Sequence, residues 1–137
     1  MTIFERRGVA VLARILLKDV LPQGKEAGGF ALRIEEIGGR EVWAYRINRV
    51  SFSVIDIREE TTSNRYEMWN ESTTVAIIKI KNKERSYNEI FFEKIDTRYI
   101  EGRDSRYRFK VDVKSESEVD VEDYELGSTI RYRISYN

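Results

Sequence analysis

The chain has 137 residues, 41% of them hydrophobic, and balances 24 Lys and Arg against 24 Asp and Glu. That length suits a single globular domain over 1–137, burying about two thirds of its unfolded surface around one core, and the apolar content excludes a disordered chain. Charge neutrality excludes a whole-molecule pull toward nucleic acid or anionic membrane, and the lack of any Cys or His excludes disulfides, thiol or imidazole catalysis and transition-metal sites built on those ligands.

From Phe4 to Leu21 the apolar residues Phe4, Val11, Leu12, Ile15, Leu16 and Val20 recur at helical spacing, which predicts an N-terminal amphipathic helix. Arg6, Arg7, Arg14 and Lys18 fall mostly elsewhere on it. The run Val9 to Leu17 also fits a buried strand, because short apolar runs do not separate the two by period. It is shorter than the roughly 20 residues of a membrane-crossing helix. Arg14, Lys18 and the lack of a small-residue cleavage site argue against a signal peptide, so the expected location is intracellular, with no membrane contact. Pro22 ends the segment, and the stretch to Gly29 reads as a flexible connection.

Beyond it the period changes to two. Phe30, Leu32 and Ile34 alternate with Ala31, Arg33 and Glu35, and Trp43, Tyr45 and Ile47 share a face after Gly38-Gly39, a hairpin pattern. Val50 to Ile57 reads as a strand with a bulge or burial on both faces. Tyr66 with Met68, then Val75 to Ile80, predict two more. Ser86-Tyr87-Asn88-Glu89 has the capping-box form, and Tyr87, Ile90, Phe91 and Ile95 follow at helical spacing, which predicts a short helix near 87–97. Tyr107, Phe109, Val111 and Val113 alternate with Arg106, Arg108, Lys110 and Asp112, and Ile130, Tyr132, Ile134 and Tyr136 with Thr129, Arg131, Arg133 and Ser135. Between these last strands, the acidic stretch from Ser115 to Gly127 reads as a loop or an edge strand. The expected fold class is therefore α+β, mainly antiparallel β, a sheet or sandwich of about seven strands with the two helices.

Candidate binding residues are the basic ones of the last two strands: Arg106, Arg108, Lys110, Arg131 and Arg133. Clustered Arg and Lys can hold phosphates, and neighbouring aromatics can stack bases. Pleating sends Tyr107, Phe109 and Tyr132 to the opposite face from these arginines, and the acidic residues Glu116, Glu118, Asp120, Glu122 and Asp123 offer ion-pair partners nearby. That pairing is the favoured expectation. The acidic stretch lacks the glycine and terminal glutamate of a calcium loop. Pairs such as Glu35-Glu36 diverge on a strand and Glu59-Glu60 arise readily by chance, so neither marks a glycosidase. Asn70-Glu71-Ser72 matches the glycosylation sequon and reads as a turn. No cofactor or metal is expected.

The charged fraction of 35%, with two Met and no Cys, favours surface ion-pair networks over thermolabile side chains, which suits a hot-growing source. In this texture along the whole chain, without a signature motif, the sequence resembles small proteins of hyperthermophilic archaeal viruses of the Pyrobaculum spherical type. The resemblance implies a location in host cytoplasm or virion and a structural or host-interaction role. The leading expectation is a non-enzymatic structural or protein-interaction protein, self-associating or docking through a strand edge or an aromatic patch. The alternative is a nucleic-acid-binding protein using the basic strand face.

Overall fold

A computed structural model describes residues 2–18, 30–50, 53–72, 74–81, 87–104 and 108–136. It begins with helix α1 (Ile3–Lys18). Thr2 caps it: its hydroxyl accepts from the Glu5 backbone N–H at 3.2 Å, while the Glu5 carboxylate accepts from the Thr2 N–H at 3.4 Å. This is a reciprocal capping box. The segment expected to be a flexible connection, Pro22 to Gly29, lies outside the described residues.

Ten strands follow: β1 (Phe30–Glu36), β2 (Val42–Val50), β3 (Val54–Glu59), β4 (Arg65–Asn70), β5 (Val75–Lys81), β6 (Tyr87–Lys94), β7 (Tyr99–Arg103), β8 (Arg108–Val113), β9 (Glu118–Asp123) and β10 (Ser128–Tyr136). Each pairs antiparallel with the next, and β1 also pairs with β10, from Leu32↔Tyr136 to Glu36↔Tyr132. The sheet is a closed up-and-down barrel, so the expectation of a seven-strand sheet or sandwich is corrected. The three further strands are β6, β7 and β9.

Each was hidden for a physical reason. The expected helix near 87–97 is instead β6, continuing into the turn before β7. Ile90 and Phe92 point inward with 0% and 1% exposure, while Phe91 points outward at 37%, and that outward aromatic imitates helical spacing. In β7, the inward position between Glu101 and Arg103 is a glycine, Gly102, which leaves no apolar alternation to read. The acidic stretch holds β9, where Val119 and Val121 face inward between Glu118, Asp120 and Glu122. The expected hairpin between β1 and β2 is present, with Gly38 at φ 90°. The strand expected over Val50 to Ile57 is corrected: β2 ends at Val50 and β3 begins at Val54, with Val54, Ile55 and Ile57 all buried, and the register irregularity lies earlier, between Ile47 and Arg49 of β2.

The helix lies inside the barrel. In a ring of ten strands taken in order, β9 stands opposite β4. Arg6 of α1 bonds to Asp123 of β9, while Gly8 lies against the ring of Tyr66 on β4. A helix that touches opposite walls at residues only two apart runs through the lumen. Val9, Ala10, Val11, Leu12 and Ala13 are all fully buried, as a helix apolar on every side must be. Arg6, Arg7 and Arg14, which the spacing sets mostly off the apolar positions, are buried as well, at 7%, 2% and 0% exposure.

The N-terminal end of α1 sits at the rim that carries the turns 37–41, 60–64 and 124–127. At the opposite rim, Arg14 Nε donates to the Glu116 carbonyl in the β8–β9 turn. A 16-residue helix spans about 24 Å, comparable to the longer of the strands, which run from five to nine residues at about 3.3 Å each. The inward side chains of the wall, among them Leu32, Ile57, Met68, Ile78, Val111 and Ile134, close on it and form one core with it.

The fit of helix to wall makes a prediction with an unusual sign. Gly→Ala inside a helix ordinarily stabilises by about 1 kcal/mol. A Cβ at Gly8 would fall within the Tyr66 ring, so Gly8→Ala is expected to destabilise by about 1–3 kcal/mol, read as a lower urea midpoint at unchanged slope.

Candidate functional site

Two arrangements of functional side chains result: a polar cluster inside the first rim, and a groove on the outer wall. The inner cluster forms because α1 carries two arginines in its first turns. Arg7 Nη2 donates to Glu59 Oε1 at 2.7 Å, and the Tyr45 hydroxyl donates to Glu59 Oε2 at 2.5 Å. The Arg7 guanidinium also stands 4.0 Å from the Trp43 ring centroid and 5.0 Å from that of Phe4. Arg6 donates through Nε and Nη2 to Asp123 Oδ2 at 3.3 and 3.2 Å. The Tyr66 hydroxyl donates to the Phe4 carbonyl at 2.9 Å, one of the acceptors at the start of α1.

Burial shapes the titration of this cluster. It works against the charge on Arg7, but the hydrogen bond and charge of Glu59 more than offset it and raise Arg7 above the ordinary arginine value. Burial holds the phenols of Tyr45 and Tyr66 above the usual tyrosine range, and the charge of Glu59 adds to it. Tyr132 is pushed up to about 12, chiefly by burial, with Arg6 pulling the other way. Every carboxylate named here is engaged with an arginine, so the cluster anchors α1 to the wall.

The outer wall is densely charged, and several of its charges pair within the chain. Arg131 grips Asp120 with two hydrogen bonds, Nε to Oδ1 at 2.9 Å and Nη2 to Oδ2 at 3.2 Å. Lys114 approaches Asp120 at 3.2 Å. Burial works against the Asp120 charge, but these two cations outweigh it and hold the carboxyl below the usual range. Arg133 pairs with Glu35 at 3.3 Å, Arg98 with Asp112 at 2.6 Å and Arg65 with Asp56 at 2.6 Å. A lipid-facing barrel would instead present an apolar band of about 25 Å.

The predicted basic residues are thereby divided. β9 lies between β8 and β10, so Arg131 pairs with Asp120 of the acidic stretch, as the favoured expectation had it, while Arg133, opposite Glu118, pairs with Glu35 of β1. Lys110 sits 4.2 Å from the Tyr99 ring centroid and opposite Glu101 and Glu122. Arg106 lies outside the described residues. Arg108 is exposed and makes no ion pair among the described residues. Phe109 and Tyr132 face inward at 1% exposure, on the opposite side from the arginines as pleating requires.

Arg108 belongs to a surface the sequence reading missed. Across the outer wall one row runs Trp69, Ile77, Phe91, Arg103, Arg108 over β4 to β8, each directly opposite the next. The adjacent row runs Val75, Glu93, Glu101, Lys110. Trp69 and Phe91 are exposed, and so is Tyr124 at the end of β9. Arg103 lies 5.5 Å from the Phe91 centroid. A cavity of about 540 Å³ opens here, bounded by Phe91, Glu93, Glu101, Arg103, Arg108 and Tyr124 among others. The signal in the sequence was Phe91 between Glu89 and Glu93, an apolar residue out of phase with its strand, and it was assigned to a helix instead.

A second cavity, about 450 Å³, lies at the opposite rim between Leu16, Ser53, Thr74 and Lys94. Other exposed apolar side chains, Ile3, Phe4, Ile37, Val42 and Leu126, are distributed over three segments at the first rim. Among the described residues no group of three or more acidic side chains is placed to hold a metal ion, and no helix is long and apolar enough to cross a membrane. No protein family, curated protein or solved structure matches the chain.

The buried phenols set an alkaline limit. Their pKa values are raised above the roughly 10 of an unfolded chain, so the stability they contribute is complete below pH ~10. It is lost as pH rises through the folded values, at up to about 1.4 kcal/mol per pH unit for each of Tyr45, Tyr66 and Tyr132. Urea titrations from pH 8 to 11 (about one unit beyond the free phenol value) are expected to show this loss, with phenolate absorbance appearing only on unfolding. Tyr45→Phe removes one share of that slope and, at neutral pH, costs about 1–3 kcal/mol by leaving a Glu59 oxygen without its donor.

Proposed function

We propose that the protein is a non-enzymatic interaction protein that presents a rigid barrel wall to a protein partner. The lumen is filled by α1 and the sheet is closed, so neither an interior ligand site nor a free strand edge serves recognition. Of the two docking routes expected from the sequence, the aromatic patch is the one supported. The single observation that carries the reading is the row Trp69, Ile77, Phe91 beside a groove on a densely charged wall. Exposed aromatic residues with arginine at hand are the composition of interface centres. Nucleic acid is the second reading, since Arg103 and Arg108 share this face with Phe91 and Tyr124. Glu93 and Glu101 line the same groove and oppose a phosphate backbone, which favours protein.

The test compares wild type with Trp69→Ser/Phe91→Ser as bait. Both side chains lie outside the core, so unfolding is expected to change by no more than about 0.5 kcal/mol. Wild type is expected to retain protein that the variant loses. Identical retention by the two overturns the reading. Binding to nucleic acid that collapses between low and moderate salt, and is lost with Arg103→Glu/Arg108→Glu, replaces it with the second.

A further inference from the structure

The groove on the outer wall brings three kinds of chemistry within reach of one small molecule. Arg103 of β7 stands directly opposite Arg108 of β8, so their Cβ atoms lie about 5 Å apart on one face and both guanidinium forks can close on a single anion. Neither makes an ion pair among the described residues. Aromatic rings flank the two. Phe91 of β6 is directly opposite Arg103, with the guanidinium 5.5 Å from its ring centroid. On the other side the Tyr124 N–H donates to the Arg108 carbonyl at 3.3 Å, which places Tyr124 next to Arg108. Two residues back along β7, Glu101 stands opposite Glu93, about 7 Å from the arginine row. Lys110, opposite Glu101 on its other side, moderates that acidic end. The cavity between them, about 540 Å³, falls within the range of about 300–1,000 Å³ that small-molecule sites occupy.

We propose that the groove binds a free ribonucleoside monophosphate: the phosphate between Arg103 and Arg108, the base against Phe91, and the ribose hydroxyls donating to Glu101 and Glu93. The argument is complementarity of charge and hydrogen bonding. A phosphate satisfies the guanidinium forks, a flat ring covers the exposed face of Phe91, and ionised carboxylates, which only accept, call for a ligand that also carries donors. Inorganic phosphate meets the first of these demands and an aromatic acid the first two, whereas a ribonucleotide meets all three. A nucleic-acid strand fits less well, because its neighbouring phosphates are carried toward Glu93 and Glu101. The inference goes beyond the protein-docking reading, since the ligand occupies the groove beside the row that carries Trp69 and Ile77.

Isothermal titration calorimetry of the full chain with each of the common ribonucleoside monophosphates tests it. At least one is expected to bind in the millimolar range or tighter, with its nucleoside and ribose 5-phosphate each about tenfold weaker or worse, for want of the charged hydrogen bonds and of the stacked base respectively. Arg103→Gln/Arg108→Gln, at two exposed positions, is expected to weaken the nucleotide about 30-fold with an unchanged urea midpoint. Wild type is expected to prefer the nucleotide to its 2′-deoxy counterpart about tenfold, and Glu93→Ala/Glu101→Ala to erase that preference. Wild type that binds none of the nucleotides in the millimolar range, a nucleoside that binds as tightly as its nucleotide, or indifference to either pair of substitutions overturns the proposal. An RNA oligomer that binds more tightly than the mononucleotide also overturns it and hands the groove to nucleic acid. If no nucleotide binds but Trp69→Ser/Phe91→Ser still loses a captured protein, the ligand site is wrong and the docking row stands. If that variant loses nothing, the docking row falls whatever the titrations show.

Discussion

A ring of ten strands is wider than its own side chains can fill, because about eight is the number at which inward residues meet across the centre. The volume left over has to be occupied, and here α1 occupies it. That one constraint explains much that is otherwise odd in the helix. Its middle must be small or smooth enough to pass between opposing walls, hence Gly8 against Tyr66 and the run Val9 to Ala13 buried on every side. The wall adapts in turn: the Phe109 ring lies over Gly102, and meets Phe92 edge-on with centroids 5.8 Å apart.

A smooth apolar cylinder in an apolar tube has no preferred depth or rotation, and the buried ions supply both. Arg7 with Glu59 and Arg6 with Asp123 tie two faces of the helix to walls that lie well apart in the ring. Removing either partner of such a pair leaves a buried charge uncompensated, which costs about 3–5 kcal/mol. A helix shifted by a turn would meet that penalty twice. Tyr45 completes the arrangement by occupying the second oxygen of Glu59, so neither face of that carboxylate is open to a competing partner. Carboxylates held this way serve structure.

The outer wall follows a different rule. Across β9 and β10 cations stand opposite anions, Arg131 opposite Asp120 and Arg133 opposite Glu118, whereas across β8 and β9 Asp112 stands opposite Asp120 and the shared cations Arg98, Lys114 and Arg131 neutralise them. On β6, β7 and β8 like charges stand together beside exposed aromatics. What sets the groove apart is the exposure of Phe91 and Tyr124 beside it.

Alternation along single strands was legible from the residues alone, because each apolar side chain must leave water whatever the rest of the chain does. Leu32 with Ile34, Tyr45 with Ile47, and Phe109 with Val111 all face inward as their spacing demands. The N-terminal helix was legible too, and the capping box of Thr2 and Glu5 was there to be read. The pairing of Arg131 with the acidic segment followed from proximity in the chain. The order of strands, closure of the ring and entry of α1 into it were decided only in three dimensions, since they depend on how many strands must curl before the first can bond to the last. Burial of Arg6 and Arg7 depended on Asp123 and Glu59, more than fifty residues away in each case. The groove likewise exists only once β6, β7 and β8 lie side by side: local spacing sorts inside from outside, but which outward side chains become neighbours is a property of register.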